Sequence, residues 1–590
     1  MHILQRQPCQ PAGKFDDHVP SLLQRLYLNR GITQQQELQK ELSGLPAPEL
    51  FKGMEQAVDL LIEALHKQQK ISVIGDFDAD GATSSALAIH ALRAMHFNAD
   101  YLVPNRFEYG YGLTPEIVEE AIRLQQPKVI ITVDNGISSW EGVALARARG
   151  IKVLITDHHL PGKELPDADA IVNPNQAGCE FPGKNIAGVG VIFYVMSALR
   201  KKLREESFFK QNNIPEPNMA DYLDLVALGT VADVVSLDKT NRILVHQGVQ
   251  RIRAGRARPG IAALAEVARR SLSKIVSTDL GFAIAPRLNA AGRMDDMSTG
   301  IQCLLSDNMN DARRLAGDLD NLNRDRKFVE QGMQQEALKA VEQLHLDEKN
   351  NLPWGLCVFD EHWHQGVIGL LASRLKERYH RPVIAFAPAG ATGRSPLPND
   401  IIKGSARSIE GLHIRDVLDA VATQHPALIE KFGGHAMAAG LSLPHKNLST
   451  FMQAFDQQVR TLLDEKQLQA VLQTDGELNA NDFLLSTATL LRNSEPWGQH
   501  FPAPLFEGNF TVMNKRLVGE QHLRLVLQPV GATGRSPLPI VDAIIFFIDN
   551  SLKEKILEGD LLRAVYRLDV NEYQGDENLQ LIIEYLEPVG

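Results

Sequence analysis

Three groups of acidic and imidazole side chains follow three short apolar runs of the sequence. The motif DFDADG occupies residues 76–81, DNG occupies residues 134–136 and DHH occupies residues 157–159. Carboxylates that are packed within a few ångströms repel one another unless cations neutralise them. If the three motifs meet in space, they therefore predict a metal site.

Each motif taken alone has an ordinary structural interpretation. D-x-D-G and D-N-G are common in turns, and an aspartate at the end of a strand often caps the next helix. A turn or a cap is the better interpretation of any one motif. Cation binding becomes the better interpretation only for three motifs that converge.

The ligand types indicate which metal and which reaction to expect. Carboxylates mixed with one or two imidazoles, without thiolates, suit Mn²⁺ or Mg²⁺ better than structural zinc. Two such ions can activate a water and stabilise the attacking and leaving oxygens at a phosphoryl centre. Hydrolysis of a phosphodiester or a phosphoanhydride is the predicted chemistry. No G-x-x-x-x-G-K-[ST] motif occurs, so an NTP-driven motor is not supported.

The elements around these motifs must bring them together. Between residues 55 and 195, β-branched runs alternate with helical stretches, which predicts a mainly parallel, helix-covered sheet. Ligand sites of such sheets form at the carboxyl ends of the strands, where all three motifs stand. The predicted strands are Ile71–Ile74, Ala99–Val103, Lys128–Val133 and Ile151–Thr156, and the predicted helices are Ala82–Met95, Thr114–Leu124 and Ser139–Arg149.

The rest of the chain predicts a helical spacer, a second α/β unit and a β-rich tail. Asp311–Leu346 has no proline and has the apolar periodicity of one long helix. Strands Gly355–Phe359 and Pro382–Phe386 flank the helix Gly366–Tyr379 in a smaller α/β unit. Five runs in the tail permit a barrel of the OB type, and these are Gly508–Met513, His522–Leu527, Val541–Ile548, Leu561–Leu568 and Leu579–Tyr585.

Composition narrows the class of protein. The 590 residues include 61 Lys and Arg against 72 Asp and Glu, a net charge of −11, and 44% are hydrophobic, as in ordinary globular proteins. A net negative chain must meet a polyanionic substrate with local cations or metals. The four cysteines form no C-x-x-C pair, and no apolar run reaches the length of a membrane span. A cytoplasmic location is therefore expected.

One nonapeptide, GATGRSPLP, occurs twice, at residues 390–398 and 531–539. The surrounding sequences share little else, so this is not a domain repeat. Its glycine, proline and serine content predicts a surface loop in both places. A shared loop function and a recent insertion without a chemical role are both compatible with the repeat, and the insertion is the favoured explanation.

The ordered motifs DFDADG, DNGI and DHH resemble the DHH phosphoesterase superfamily. Further motifs narrow the resemblance to the RecJ family, the single-strand-specific 5′→3′ DNA exonucleases of bacteria, over nearly the whole chain. These motifs are LGTVADVVSL (228–237), APRLNAAGRM (285–294), WHQGVIGLLASRL (363–375), GSARS (404–408) and FGGHAMAAG (432–440).

The resemblance implies a fold and a domain order. The expected class is α/β, with a DHH parallel-sheet domain and a smaller DHH-associated domain joined by a long helix, followed by a carboxyl-terminal OB-type β-barrel. The expected domains are an amino-terminal extension (1–55), the DHH catalytic domain (56–260), a helical connector with the long helix (261–348), the DHH-associated substrate-binding domain (349–460) and the OB-type single-strand-binding domain (461–590).

The resemblance also implies roles for individual residues. Two divalent ions, Mn²⁺ or Mg²⁺, are expected, and Asp134 is expected to bridge them. The implied metal ligands are Asp78, Asp80, Asp134, His158 and Asp233. Asp76 and Asp157 are expected to support these ligands, and His159 is expected near the scissile phosphate. The implied substrate-binding residues are Arg287, Asn289, Arg293, Ser405, Arg407, Gly433, Gly434 and His435.

OB barrels bind single strands through basic grooves and through stacking of bases on aromatic side chains. Candidate contacts in the tail are Trp497, Phe501, Phe506, Lys515 and Arg516. Phenylalanines at alternate strand positions are more often core residues, so the expectation rests on the domain rather than on these individual side chains. The arginine-rich stretch 251–258 either contacts the DNA backbone or forms a solvated helix end.

Single-stranded DNA is the expected partner, and a single-strand-binding protein and a helicase are candidate protein partners of an expected monomer without membrane association. The expected activity is metal-dependent hydrolysis of single-stranded DNA from its 5′ end to 5′-mononucleotides, in repair and recombination. Two alternatives stay open: a DHH phosphodiesterase of short oligonucleotides or cyclic dinucleotides, and a non-catalytic scaffold that binds single strands.

Overall fold

A computed structural model describes most of the chain. The described residues are 2–103, 112–344, 352–389, 401–434, 436–519, 522–530, 539–548, 550–573 and 576–589. Both copies of the repeated nonapeptide fall outside these ranges, except for Pro539. In the described part of the chain, every helix is too short or too polar to cross a lipid bilayer.

The structure contains nineteen α-helices in its described residues, numbered here in chain order. They are α1 Ser21–Leu28, α2 Met54–His66, α3 Ala79–Ala94, α4 Pro115–Gln125, α5 Trp140–Ala148, α6 Gly188–Glu205, α7 Phe208–Gln211, α8 Leu223–Ala232, α9 Lys239–Arg253, α10 Pro259–Val267, α11 Ser277–Asp279, α12 Ala285–Met294, α13 Ser298–Leu305, α14 Met309–Leu344, α15 Ile368–Tyr379, α16 Ile414–Gln424, α17 Leu448–Leu462, α18 Leu485–Ser494 and α19 Asn550–Lys555. A π-helical turn, Leu280–Ile284, joins α11 to α12.

The chain forms two compact units. One comprises Ile3–Asn289, Met297–Gly317 and Gln473–Gly590, and the other consists mainly of Ala290–Asp296 and Asp318–Leu472. The first unit contains a parallel sheet and a closed barrel, and the second contains a mixed sheet. The bounds of the five predicted domains stay predictions.

The parallel sheet of the first unit has five strands in the order β2-β1-β3-β4-β5. Neighbouring strands are parallel throughout. They are β1 Ile71–Gly75, β2 Ala99–Leu102, β3 Val129–Val133, β4 Lys152–Thr156 and β5 Ala170–Val172. The three acidic motifs begin directly after β1, β3 and β4, which are adjacent, so the predicted convergence occurs.

The central strands are buried on both faces. Every residue of β1 and β3 is buried, as expected for a parallel sheet that is covered by helices on both sides. Helices α4 and α5 contribute to one apolar layer, and α3 packs against α6 and α8. This packing fixes the strand ends, and with them the side chains that follow.

The sheet of the second unit has the order β9-β10-β8-β7-β6. Its strands are β6 Leu356–Phe359, β7 Val383–Pro388, β8 Ile401–Arg407, β9 Lys431–Gly434 and β10 Ala438–Pro444. Alternate residues of β7 enter two different cores: Ile384 and Phe386 pack with α16 and α17, whereas Val383 and Ala385 pack with α15. Helices therefore cover both faces of this sheet.

The tail closes into a five-stranded barrel in the order β11-β12-β13-β15-β14. The strands are β11 Phe506–Val518, β12 His522–Pro529, β13 Val541–Ile545, β14 Leu561–Tyr573 and β15 Asp576–Pro588. All pairs are antiparallel except β13 with β15. The predicted α/β class with an OB-type barrel is confirmed.

Candidate metal centre

Asp78 and Asp80 lie where β1 turns into α3. Asp78 caps the helix, because its Oδ1 accepts the backbone N–H groups of Asp80, at 2.9 Å, and Gly81, at 3.0 Å. This cap starts α3 at Ala79, three residues earlier than predicted. The capping interpretation of the motif is thus correct, and it fixes Asp78 and Asp80 beside the other acids.

The amino end of α6 holds the carboxylate of Asp80. Its Oδ2 accepts the N–H of Gly188 at 2.7 Å, and its Oδ1 accepts the N–H of Val189 at 3.0 Å. The first N–H groups of a helix have no partner within the helix and attract anions. Asp80 is fully buried, so these bonds orient it without water.

Asp134 follows β3 in a left-handed backbone conformation, with φ of 63°. Such a conformation costs about 1 to 3 kcal/mol for a residue other than glycine and is often found at functional sites. The Nε2 atom of His158 lies 3.1 Å from Asp134 Oδ1 and 3.4 Å from Asp233 Oδ2. Asp233 ends α8. Three separate segments therefore meet at His158.

The predicted ligands form three overlapping groups whose oxygen and nitrogen atoms lie within 4.8 Å of one another. Every predicted metal ligand belongs to at least one of them. Asp76 and His159, predicted in supporting and substrate roles, belong to them too. The groups are Asp76 with Asp78 and Asp134; Asp80 with His158 and Asp233; and Asp134 with His158 and His159. Which of these residues coordinate an ion stays a prediction.

Asp157 holds the two histidines in place. Its Oδ1 accepts the N–H groups of His158, at 2.7 Å, and His159, at 3.1 Å, and it lies 2.8 Å from His159 Nδ1. Its Oδ2 accepts the N–H of Ile137 at 2.9 Å. Both oxygens are thus used by the protein itself, which suits the supporting role predicted for Asp157.

Crowding and burial shift the pKa values of the acids upward in the absence of metal. Burial, followed by the charge of Asp78, raises the pKa of Asp80 to about 7. Burial and the charges of Asp80 and Asp78 raise the pKa values of Asp134 and Asp233 as well. The protein alone therefore cannot hold all these carboxylates ionised at neutral pH.

Asp157 and His159 shift in the opposite directions, as an ion pair does. Burial alone would raise the pKa of Asp157, but the hydrogen bond and charge of His159 lower it. Burial alone would lower the pKa of His159, but Asp157 raises it to about 9. His159 is therefore a cation at neutral pH.

These features fit a centre for divalent cations. Asp134 Oδ1 is buried, and although His158 Nε2 lies 3.1 Å away, neither atom makes a hydrogen bond of acceptable geometry within the part of the chain that the structure describes. Carboxylate oxygens with one or two imidazole nitrogens are ligands that Mn²⁺ and Mg²⁺ accept. Added positive charge would also relieve the repulsion between the acids.

Comparison with known proteins identifies the family. A DHH family N-terminal domain model matches residues 70–230, a DHHA1 domain model matches 353–461, and a RecJ OB domain model matches 474–585. The chain is 52% identical over 589 residues to the single-stranded-DNA-specific exonuclease RecJ of Dickeya dadantii, and 99% of each chain is covered. This chain belongs to the RecJ family. The family suggested by the sequence motifs is confirmed.

Other RecJ proteins agree. The single-stranded-DNA-specific exonuclease RecJ of Escherichia coli is 50% identical, again with 99% of each chain covered. A crystal structure of RecJ in complex with Mn²⁺ from Thermus thermophilus has a TM-score of 0.79 and 26% identity to this chain. That comparison covers 99% of this chain and 80% of the other.

The RecJ motif APRLNAAGRM supplies one side chain to the metal centre. Asn289 Oδ1 accepts the N–H of Ala79 at 2.8 Å and thereby braces the start of α3. Arg287 donates to the carbonyls of Ala283, at 2.5 Å, and Val267, at 3.4 Å. Arg293 belongs to the second compact unit. The predicted roles of Arg287 and Arg293 in substrate binding are untested.

In the second unit, Ser405 and Arg407 form a small polar cradle. Arg407 Nη1 lies 3.1 Å from Ser405 Oγ and donates to the carbonyl of Ala406 at 2.8 Å. A Cβ atom at Gly369 would lie 2.9 Å from Arg407 Nη2 and 3.0 Å from Ser405 Oγ, so the glycine keeps this space open.

Two of the three remaining substrate-binding candidates are on the neighbouring strands. Gly433 and Gly434 end β9, which pairs with β10 beside β8. His435 lies outside the described residues.

The structure contradicts the predicted stacking role of three barrel-region aromatics. Trp497, Phe501 and Phe506 are buried. Trp497 and Phe501 stack on each other with ring centroids 5.4 Å apart. The guanidinium group of Arg30 lies 5.0 Å from the Trp497 ring, and that of Arg242 lies 4.6 Å from the Phe501 ring. The Trp497 ring thus packs against Arg30 of the amino-terminal segment and the Phe501 ring against Arg242 of α9, whereas Phe506 packs against Tyr566 with ring centroids 6.1 Å apart.

The two cationic candidates of the barrel, Lys515 and Arg516, have different surroundings. Lys515 donates to the carbonyl of Ile556 at 2.5 Å. Arg516 lies on β11 and is exposed. Neither has a tested role in binding DNA.

The arginine-rich stretch is mostly engaged within the protein. Arg251 pairs with Asp221 at 2.8 Å, and Arg258 pairs with the buried Asp224 at 2.8 Å. Arg253 donates to the carbonyl of Ile275 at 2.7 Å. These three side chains bind other segments of the first unit, so they do not form a solvated helix end. Contact of the stretch with the DNA backbone stays a prediction.

Sequence reasoning missed the contribution of Gly188. A Cβ atom there would lie 2.6 Å from Asp134 Cβ, so only glycine lets the amino end of α6 approach both Asp134 and Asp80. The glycine-rich run AGVGV (187–191) before an apolar helix was the available signal. It indicates a close backbone approach, but not what is approached.

Proposed function

We propose that this member of the RecJ family is a metal-dependent exonuclease that hydrolyses single-stranded DNA from the 5′ end and releases 5′-mononucleotides. The observation that carries the proposal is the meeting of the DFDADG, DNG and DHH motifs with Asp233 around His158. Full-length relatives named single-stranded-DNA-specific exonucleases supply the substrate.

Asp78, Asp80, Asp134, His158 and Asp233 would hold two divalent ions, Mn²⁺ or Mg²⁺, with Asp134 shared between them. Bound ions would activate water and neutralise charge on the phosphodiester. RecJ crystal structures with Mn²⁺ and with Mg²⁺ support this choice of metals.

The remaining residues of the centre position these ligands and the substrate. Asp157 fixes the imidazole of His159 through Nδ1, which leaves Nε2 as the ring atom that can donate to a phosphate oxygen. The hydrogen bond and charge of Asp157 favour the protonated form of His159, and a protonated imidazole would stabilise negative charge that develops at the scissile phosphate. Asp76 supports Asp78 and Asp134 from the same cluster.

The second unit would bind phosphates of the strand. An arginine offers a bidentate fork to phosphate, and glycine backbone lets N–H groups approach an anion closely. Arg407 with Ser405, and Gly433, Gly434 and His435, are the proposed contacts there. Arg287, Asn289 and Arg293 are the proposed lining of the DNA path.

Single-stranded DNA binding by the barrel is supported by the match to the RecJ OB domain. A single-strand-binding protein and a helicase as partners, a monomeric state and a role in DNA repair and recombination are further parts of the proposal. A cytoplasmic location is also proposed, and the free thiols of Cys9, Cys179, Cys303 and Cys357 support a reducing compartment.

A digest of long single-stranded DNA labelled at the 5′ or the 3′ end tests the proposal. With Mn²⁺ we expect the 5′ label to appear at once as a mononucleotide and the 3′ label to persist in shortening fragments. Asp134→Ala should abolish cleavage and leave strand binding largely intact. Immediate release of the 3′ label would contradict the polarity, and near-normal turnover by Asp134→Ala would contradict the site.

The same assay separates the two alternatives. A phosphodiesterase of short oligonucleotides or cyclic dinucleotides would leave long DNA intact and cleave the short substrates. A non-catalytic scaffold would bind the labelled strands and release no label with either metal.

A further inference from the structure

Two large apolar side chains stand exposed next to the metal centre. Phe282 is 84% exposed and Val234 is 62% exposed. Val234 directly follows Asp233, and both apolar residues line one cavity of about 340 Å³ in the first unit. Neither helps to bury a core, so their exposure needs another explanation.

The backbone conformation at both positions is unusual. Val234 has φ of 60°, a left-handed conformation that is a true outlier for a β-branched residue. Phe282 lies on the π-helical turn Leu280–Ile284. Pro286, which lacks an N–H and would crowd the carbonyl of Phe282 in a regular α-helix, accounts for the widened turn. Strained and widened backbone of this kind is concentrated at functional sites.

The cavity is lined by Ala232 and Val234, which flank Asp233 in the sequence, and by residues of the barrel region. Asn289, in the helix that follows Phe282, contacts the start of α3, and seven residues of helix correspond to about 10 Å. Gln499 and Arg567, from the barrel region, line the other side of the same cavity. A strand that runs from the barrel to the acidic cluster would pass this point.

We propose that Phe282 and Val234 form a stacking shelf for a nucleobase of the single strand, and that this shelf positions the strand next to the metal centre. The inference rests on the proposed function. A base has an apolar face whatever its identity, so stacking on an exposed phenylalanine retains the strand without sequence preference. Gln499 and Arg567 offer polar groups for the edge of the base or for its phosphate. Phe282 is a positioning residue in this scheme.

Steady-state kinetics on oligothymidylate with Mn²⁺ provide the first test. We expect Phe282→Ala to raise KM about fivefold to a hundredfold, the range implied by stacking energies, while kcat changes by less than about twofold. Phe282→Trp should keep KM near the wild-type value. Phe328→Ala, which truncates a 79% exposed phenylalanine on α14, is the control and should leave KM unchanged.

Val234→Gly is the second variant, because glycine adopts the left-handed conformation without strain. It should raise KM in the same direction as Phe282→Ala without lowering the melting temperature. A raised KM together with an unchanged or higher melting temperature excludes unfolding as the cause. An unchanged KM in both variants would overturn the proposal.

An abasic nucleotide moved along a 20-nucleotide strand gives the decisive measurement, with Kd determined in EDTA so that no cleavage occurs. For the wild type we expect one position at which loss of the base weakens binding by a factor similar to that of Phe282→Ala. In Phe282→Ala the loss at that position should disappear. Equal losses at every position in both proteins would overturn the shelf.

The binding measurement stays informative whatever the result of the cleavage assay. Absence of any Mn²⁺-dependent cleavage by the wild type would contradict the proposed function. The test of the shelf would be unaffected. It depends only on whether the loss of affinity at one abasic position disappears in Phe282→Ala.

Discussion

At the scale of single residues, the metal centre is electrostatically unfavourable until a cation enters it. Asp80 and Asp134 are buried, and Asp233 and Asp78 lie in the same overlapping groups. The amino end of α6 and the cation at His159 offset only part of the repulsion, since the pKa values of Asp80, Asp134 and Asp233 remain raised. The carboxylates that would bind the metal therefore lower the stability of the metal-free protein.

Replacement of Asp134 by asparagine should separate stability from function. The amide keeps the shape and removes a buried charge, so we expect the free energy of unfolding in EDTA to rise by about 1 to 3 kcal/mol. Nuclease activity should be lost. Chemical denaturation with and without Mn²⁺ measures both effects, because Mn²⁺ should stabilise the wild type and not the variant.

Asp17→Asn is a matched control for this change, since Asp17 is 84% exposed and distant in sequence from the motifs. It should change neither the stability in EDTA nor the response to Mn²⁺. A metal-free Asp134→Asn protein less stable than the wild type would contradict the electrostatic account.

The pKa of Asp80, about 7 without metal, predicts a pH dependence of metal binding. A cation must displace the proton from this carboxyl group, and the pKa values of Asp134 and Asp233 are raised as well, so the Kd for Mn²⁺ should weaken by at least about tenfold for each pH unit below 7. Calorimetric titrations at pH 6, 7 and 8 measure this slope. A Kd that is constant between pH 6 and pH 7 would show that Asp80 is already ionised.

The stability of the metal-free protein should have the opposite pH dependence. A carboxyl group whose pKa is raised on folding binds more protons in the folded state than in the unfolded state. Its contribution is therefore present at low pH and is lost as the pH rises from about 4 to about 7. Urea denaturation in EDTA across this range should show stability falling, and saturating Mn²⁺ should reverse the trend at the upper end.

At the scale of secondary-structure elements, close approach of α6 to the ends of β1 and β3 builds the site. Gly188 begins α6 and donates to Asp80. A methyl group in its place would meet Asp134. Neither the buried helix α6 nor the buried strand β3 can move away without disturbing its packing.

Gly188→Ala should therefore disturb the site more than the fold. We expect a loss of about 1 to 3 kcal/mol in unfolding free energy from overpacking, together with a large loss of Mn²⁺ affinity. Gly150→Ala makes a useful comparison, because a Cβ there meets nothing within 4 Å, although φ of 73° adds backbone strain. Gly150→Ala should lower the free energy of unfolding but leave the Mn²⁺ affinity unchanged. Equal Mn²⁺ affinities of the Gly150→Ala and Gly188→Ala proteins would contradict the packing argument.

The elements near the motifs were predictable from sequence because their signals are local. Strands β1, β3 and β4 are continuous apolar runs, and their bounds agree with the prediction within one residue. Strands β8, β9 and β10 were missed, since sequences such as KFGG and IIKGSAR carry glycine and charge in place of a clear alternation. Their pairing is set by neighbours distant in sequence.

At the scale of the whole molecule, the order of the motifs in the sequence predicted the types of domain. It did not predict the roles of several individual residues. Convergence of three motifs at one sheet edge is a topological consequence of adjacent parallel strands, so it could be predicted. Asp233 entered only through family resemblance, because an acid after an apolar helix is usually a cap. The burial of Trp497 and Phe501 against Arg30 and Arg242 depends on the amino-terminal segment packing next to the barrel, which no local pattern shows.

Phe282 is a second case in which the sequence does not predict the environment of an aromatic side chain, because here the side chain is exposed. A phenylalanine between Gly281 and Ala283 in an apolar helix is expected to be buried. The π-helical turn before Pro286 changes the direction in which that side chain leaves the helix, and only the folded chain reveals it.

The inferred centre for divalent cations is built from acids of separate segments. Anomalous diffraction from crystals of the protein grown with Mn²⁺ tests it most directly. We expect two peaks among Asp78, Asp80, Asp134, His158 and Asp233, with Asp134 next to both. Crystals that diffract well and show these side chains with no anomalous peak among them would contradict it.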